Sequence, residues 1–380
     1  MKPSTFATAL LLAVAAPAQT LVVDANNGPG THFTSLAAAC SAAPDGATLD
    51  VRPGVYGTFS ISGRSLRVLA RPGARALIPL MGSAAIGNVG AGKTVVVRGL
   101  QFATANNTPS LFTLYVGNSQ GAVLLEELEI LSGQQMRFAA TDCAQLFVKN
   151  LRNQGVLQME LTRCQSLLEG TRVGAVVGIL MDAPGIRCTS GSLQVVDCTV
   201  QGLMTLYTAA RPGIELQQAD LRLLGNTSVG SGFSWTQPAT FAVTGQGTVR
   251  SEPGVLFSNS AGAFAPTLNV TQPAMPTLTA RLVGNTTTAS LRSPVGQLGM
   301  LVLGLPGPAL TLPGIADPLW LDPASFGHVV VGTVGTGLPV QGVVTIPANA
   351  MRGSRLTWQA VTLDPAAGLQ LSNASFVVVP

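Results

Sequence analysis

The sequence predicts an all-β chain: a right-handed parallel β-helix with a short N-terminal capping helix, followed by a small C-terminal β-sandwich-like module. Three observations establish the all-β class and its division into two parts. Gly (43) and Pro (25) punctuate the 380 residues while charged residues make up only 10%, which suits sheets joined by many turns and leaves helices without solvated faces. Short Val- and Leu-rich runs recur through the first two-thirds, with anchors about 23 to 34 residues apart, among them Leu100, Leu128 and Leu151, and Cys198 with Thr227. After residue 276, about seven further short strands crowd into roughly a hundred residues, the density of a sandwich.

The elements follow in order. Met1-Lys2, the apolar run Phe6 to Ala16 and the small-x-small Ala16-Pro17-Ala18 predict a secretory signal over 1–18, cut before Gln19 and too short to be a membrane span. Later, Met300 to Leu321 is broken by Gly304, Pro306, Gly307, Pro308, Pro313 and Gly314 and carries Asp317, so no second span is expected. The mature product is therefore expected to be secreted, extracellular or periplasmic, or held at the cell surface. Leu21-Val22-Val23 reads as a first strand, and Thr34 or Ser35 can cap a helix over Leu36 to Ala43. Pro44-Asp45-Gly46 turns, Thr48 to Val51 is a strand, and Arg52-Pro53-Gly54 turns again.

The stretch Thr31-His32-Phe33-Thr34-Ser35-Leu36, Ala42-Ala43-Pro44-Asp45-Gly46-Ala47-Thr48-Leu49 and Val51-Arg52-Pro53-Gly54-Val55-Tyr56 resembles the opening of pectin-lyase-like parallel β-helix proteins. There a short helix covers the open end of the coil stack, where apolar interior and unpaired strand groups would otherwise face water. The resemblance covers about forty residues and implies a fold rather than a reaction. Without it, runs such as Val95-Val96-Val97 would leave a helix and a sandwich nearly balanced. The expected boundaries are 19–262 for the β-helix, 263–276 for a Pro-rich linker and 277–380 for the module.

Charge argues against a nucleic-acid partner: losing Lys2 with the signal takes the net charge from +4 to +3, small and dispersed. Gly87-Asn88-Val89-Gly90-Ala91-Gly92-Lys93-Thr94 fits the P-loop letters, but a strand, not a helix, follows it, so no nucleotide is expected. Of five cysteines, Cys143 and Cys164 can bridge if they lie on successive coils, and Cys188 and Cys198 flank a turn and can pair. A buried ladder of small apolar thiols is the equal alternative. Zinc is not expected with only His32 and His328 available.

Carbohydrate chemistry is the remaining contest. Glu127 and Glu129 would point the same way on a strand, and Asp142, Glu160 or Asp197 can stack beside them. Such a row can equally be a solvated exterior. Hydrolysis needs close carboxylates, and a lyase of this fold would need calcium, the one cofactor to consider. The resemblance does not extend to reaction motifs: the polygalacturonase triplets and the methylesterase Gln and Asp pairs are absent. Tyr115, Tyr207 and Trp235 are the candidate sugar-stacking aromatics, whereas Trp320 and Trp358 are expected in the module's core. The expected function is a non-catalytic secreted or cell-surface scaffold or glycan binder. The alternative is a divergent polysaccharide lyase or glycoside hydrolase.

Overall fold

A computed structural model describes residues 19–379 except 72–74, 80–81, 104–110, 132–133, 176–182, 204–209, 235–238, 311, 314, 316, 336–338, 348–349, 351 and 366–367. The predicted signal segment, Tyr207 and Trp235 lie outside the described residues. The chain divides into two compact units, Gln19–Pro273 and Ala274–Pro380.

The first unit is a parallel β-solenoid of about eight turns. Each coil lays one short strand on each of three faces. The first face runs from Thr20–Val23 and Thr48–Val51 through Thr94–Arg98 and Gln165–Glu169 to Leu268–Thr271. The second runs from Ser60–Ser62 through Ser83–Gly87 and Val156–Thr162 to Gly262–Phe264. The third carries Leu100–Ala103, Glu129–Ile130 and Arg152–Asn153, then Thr199–Gln201 and Leu256–Ser258. Because the register along this face is parallel, like side chains stack: Leu49, Val68, Val97, Leu125, Val148, Leu168, Val195 and Leu223 form one interior row. All eight are buried in a single continuous core. The sequence anchors Leu128 and Leu151 flank in-register third-face strands, as do Cys198 and Thr227.

Ser35 caps the helix Leu36–Ala42, its Oγ accepting from the Ala38 N–H at 3.4 Å, and the helix buries Leu36, Ala39 and Cys40. The first coil explains its Gly-Pro-Tyr signature. The Tyr56 hydroxyl donates to the Arg52 carbonyl (2.8 Å) and accepts from the Ala25 N–H (3.3 Å), stitching two coils. A Cβ on Gly54 would lie 2.9 Å from Ala25 Cβ and 3.4 Å from that hydroxyl. The P-loop-like stretch is a turn between Ser83–Gly87 and Thr94–Arg98, and Lys93 Nζ binds the Gly63 carbonyl (2.9 Å) and Asp45 (3.1 Å).

One boundary needs correction. The linker expected over 263–276 is largely the last coil, with strands Gly262–Phe264 and Leu268–Thr271 in the stack. Phe264 packs edge-on against Phe257 at 4.9 Å and Leu268 is buried, so apolar stacking outweighs the nearby prolines.

The second unit is a β-sandwich. Thr277–Val283, Thr286–Arg292 and Val340–Thr345 form one antiparallel sheet. His328–Thr333, Leu298–Gly304, Arg355–Asp364, Gly368–Leu371 and Ser375–Val378 form the other. Leu278, Ala289 and Leu291 meet Leu301, Trp358 and Ala360 in its core, and Trp358 Nε1 donates to Thr287 Oγ1 at 3.0 Å. Trp320 is buried as well. Among the described residues no helix is long and apolar enough to cross a membrane.

Candidate functional site

The solenoid turns its corners with residues in the left-handed region, one per coil. Asn88, Asn118, Asp142, Arg163, Ser190 and Gln218, all with φ of 51° to 55°, line the corner between second and first faces. Gly99, Glu127, Asn150, Gly170, Asp197 and Gly225 line the corner between first and third. This conformation favours Gly, Asn and Asp, so Asp142 and Asp197 sit where a corner needs such residues. Glu127 and Glu129 therefore do not share a strand, and the expected common direction is lost.

Each candidate carboxylate has its own partners. Glu127 takes two hydrogen bonds from Arg98 (2.9 and 3.2 Å). Glu129, on the third face, accepts from Gln101 (2.7 Å) and Gln154 (2.9 Å). Asp142 binds Arg163 on the next coil at 2.6 and 2.7 Å, which holds its carboxyl below the usual range. Glu160, on the second face, binds Arg137 and accepts from Gln158 (3.0 Å). Asp197 accepts from the Asn226 N–H at 2.7 Å. Glu127 and Asp197 share a corner but stand three coils apart, roughly 14 Å at ~4.8 Å per coil, beyond the ~5–9.5 Å of glycosidase pairs. No two of the five share a hydrogen-bonding partner among the described residues. Nor do three or more His, Cys, Asp or Glu gather there in a group able to hold a metal ion.

The cysteines are free thiols, all buried. Cys188 belongs to an interior row of the second face, between Leu161 and Leu216. Cys198 lies at the first-to-third corner, where its Sγ accepts from the Thr171 N–H at 3.3 Å. The strand Ser192–Val196 separates the two and spans roughly 16 Å at ~3.3 Å per residue. The expected Cys188–Cys198 pairing is thereby corrected. Cys198 replaces a threonine in a corner ladder: the Leu151 N–H donates to Thr171 Oγ1 (3.4 Å) and the Cys198 N–H to Thr227 Oγ1 (3.4 Å). The ladder satisfies backbone donors that the turn leaves without strand partners.

The sequence reading overlooked a charge ladder on the outward side of the first face. Arg98, Glu126, Lys149 and Glu169 are consecutive partners on four coils, alternating in sign. Lys149 and Glu169 are 2.9 Å apart, and Glu126 lies 3.6 Å from Arg98. Burial outweighs the attraction of Arg98 and Lys149 and pushes the Glu126 carboxyl up to about 7. The available signal was position: each acidic member directly precedes a left-handed corner residue.

The outward side of the second face is different. Tyr115 is 38% exposed, and its ring lies over Gly117: a Cβ there would fall 2.4 to 2.6 Å from ring and hydroxyl atoms. Its neighbours across the coils are Ala85 and Ala139, which leave the ring unshadowed. In the same row follow Glu160, Arg187 and Glu215. The row beside it, starting at Gly117, continues Thr141, Thr162, Thr189, Gln217 and Gln246. Arg187 donates to Glu215 (3.1 and 3.3 Å), Gln217 Nε2 also donates to Glu215 (2.9 Å), and Thr189 Oγ1 donates to Gln217 Oε1 (3.2 Å). A depression of about 370 Å³ opens among Thr189, Ser190, Glu215, Gln217, Gln218 and Gln246. An aromatic plate heads a flat field of hydroxyls, amides and paired ions.

No family model matches this chain, and no curated protein does. The inference to function therefore rests on this surface alone.

Proposed function

We propose that the chain is an exported, non-catalytic β-helix of pectin-lyase-like type whose second face binds a neutral glycan. The observation that carries the reading is the Tyr115 ring, seated on Gly117 at the head of the polar rows. Sugar rings present apolar C–H faces that stack on an aromatic plate, while their hydroxyls exchange hydrogen bonds with amides and hydroxyls. The guanidinium groups of Arg137 and Arg187 are each matched by a carboxylate on the next coil, Glu160 and Glu215. The rows therefore offer no excess charge to an anionic polymer. The absence of convergence among the five carboxylates supports binding without cleavage. Export rests on the signal-like residues 1–18, and the superfamily on the capping helix and the Gly54–Tyr56 turn.

The test is retention on insoluble neutral and acidic polysaccharides, with reducing ends followed in the same samples. Retention on a neutral polymer, weakened at least tenfold by Tyr115→Ala and with no new reducing ends, supports the reading. Release of sugar abolished by Glu127→Gln or Glu129→Gln would replace it with an enzyme.

A further inference from the structure

Cys143 and Cys164 follow the corner residues Asp142 and Arg163 on successive coils. Thr141 stands opposite Thr162, and the Asp142–Arg163 ion pair crosses the same step. One residue further on, both cysteines are 1% exposed, Cys143 Sγ donating to the Thr141 carbonyl (3.5 Å) and Cys164 Sγ to the Thr162 carbonyl (3.3 Å). Strands one spacing apart place Cα atoms at about 4.8 Å, within the ~4.4–6.8 Å that a disulfide spans. No other pair is placed this way: Cys40 sits in the capping helix, Cys188 inside the second face and Cys198 at the far corner. The next coil presents Gly191, whose added Cβ would lie 2.4 Å from the Cys164 carbonyl, so the two coils pack backbone to backbone there. Cys164 also lines a surface depression of about 420 Å³ with Arg163, Ser190, Gln218 and Asp220.

We propose that Cys143 and Cys164 are a redox pair that closes a disulfide between two coils by exchange with a small disulfide such as oxidised glutathione. The Cys164 thiolate attacks one glutathione sulfur and expels the other glutathione as a thiolate. Cys143 then displaces the bound glutathione through its own thiolate. In sum, two protein thiols and one glutathione disulfide give one protein disulfide and two glutathione thiols, so the protein gives up two electrons and two protons. Cys164, which lines the depression while Cys143 does not, is the attacking sulfur.

The full chain is incubated folded with oxidised glutathione and, in a second arm, refolded in its presence. Each sample is denatured, alkylated and digested with trypsin. The expected product joins peptide 138–149 to peptide 164–172, lighter than their sum by two hydrogens, while Cys40, Cys188 and Cys198 are alkylated. The oxidised chain should melt at a higher temperature, and this shift should vanish in Cys164→Ser. Complete alkylation of Cys143 and Cys164 in both arms, a stable glutathione adduct, or a link to any other cysteine would overturn the proposal.

Discussion

The first and second faces of the solenoid share an interior and differ outside. Inside, both stack aliphatic side chains in register, as in the row Leu49 to Leu223 and in Ile61, Ile86, Val116, Ala140 and Leu161. Outside, the first face carries Val96, Leu124, Phe147 and Leu167 on four successive coils, each at most 1% exposed, beside the Arg98–Glu169 charge ladder. The second face carries Tyr115, threonines, glutamines and paired ions open to solvent. The inward pattern specifies the coil; the outward pattern assigns each face its role.

The largest effect should come from the shared interior geometry. Gly245 has φ of +107°, and a Cβ there would lie 1.8 Å from the Leu216 carbonyl. Gly245→Ala should cost more than about 3 kcal/mol, by steric clash as well as backbone strain. Gly46→Ala, at φ of +81° with nothing within 4 Å, should cost only about 1 kcal/mol. Urea unfolding of the two variants checks this, and equal losses would deny the tight coil packing at Leu216.

A second pair of substitutions sharpens the contrast between faces. Leu125 points inward and Leu124 outward, yet both are 0% exposed. Each change to Ala should cost about 2–5 kcal/mol. A near-neutral Leu124→Ala would mean that the first face is open, as the second is. At the corner, Cys198→Val should cost about 1–3 kcal/mol by orphaning the Thr171 N–H, and Cys198→Ser should cost less.

The charge ladder adds a pH effect to the first face. Folding lifts the Glu126 carboxyl from 4.5 to about 7, so the folded state holds this proton more tightly than the unfolded chain. The associated stability is complete below about pH 4.5 and is lost as pH rises through about 7. Glu126→Gln should flatten the stability profile across that window, as followed by melting temperature.

These contrasts also mark what was legible beforehand. The capping helix, the Gly54–Tyr56 turn and the anchors Leu100, Leu128 and Leu151 were readable because each rests on local chemistry or spacing. Val95-Val96-Val97 is buried on both sides, but so short a run left the two folds balanced in the sequence. The end of the solenoid was misplaced because prolines near 266 and 273 look like a linker until Phe264 is seen against Phe257. The five carboxylates looked like one row because left-handed corners do not show in strand alternation: one such residue turns Glu127 and Glu129 onto different elements. Tyr115 was picked for its type alone, and Gly117, which seats its ring, was invisible without register.

The most direct test of the account is the affinity of residues 19–380 and their Tyr115→Ala variant for neutral polysaccharides, measured beside their unfolding free energies. The account predicts at least a tenfold loss of retention with stability unchanged within about 0.5 kcal/mol, as for a surface substitution. Equal retention by both proteins, or no retention by either, would contradict a glycan-binding second face.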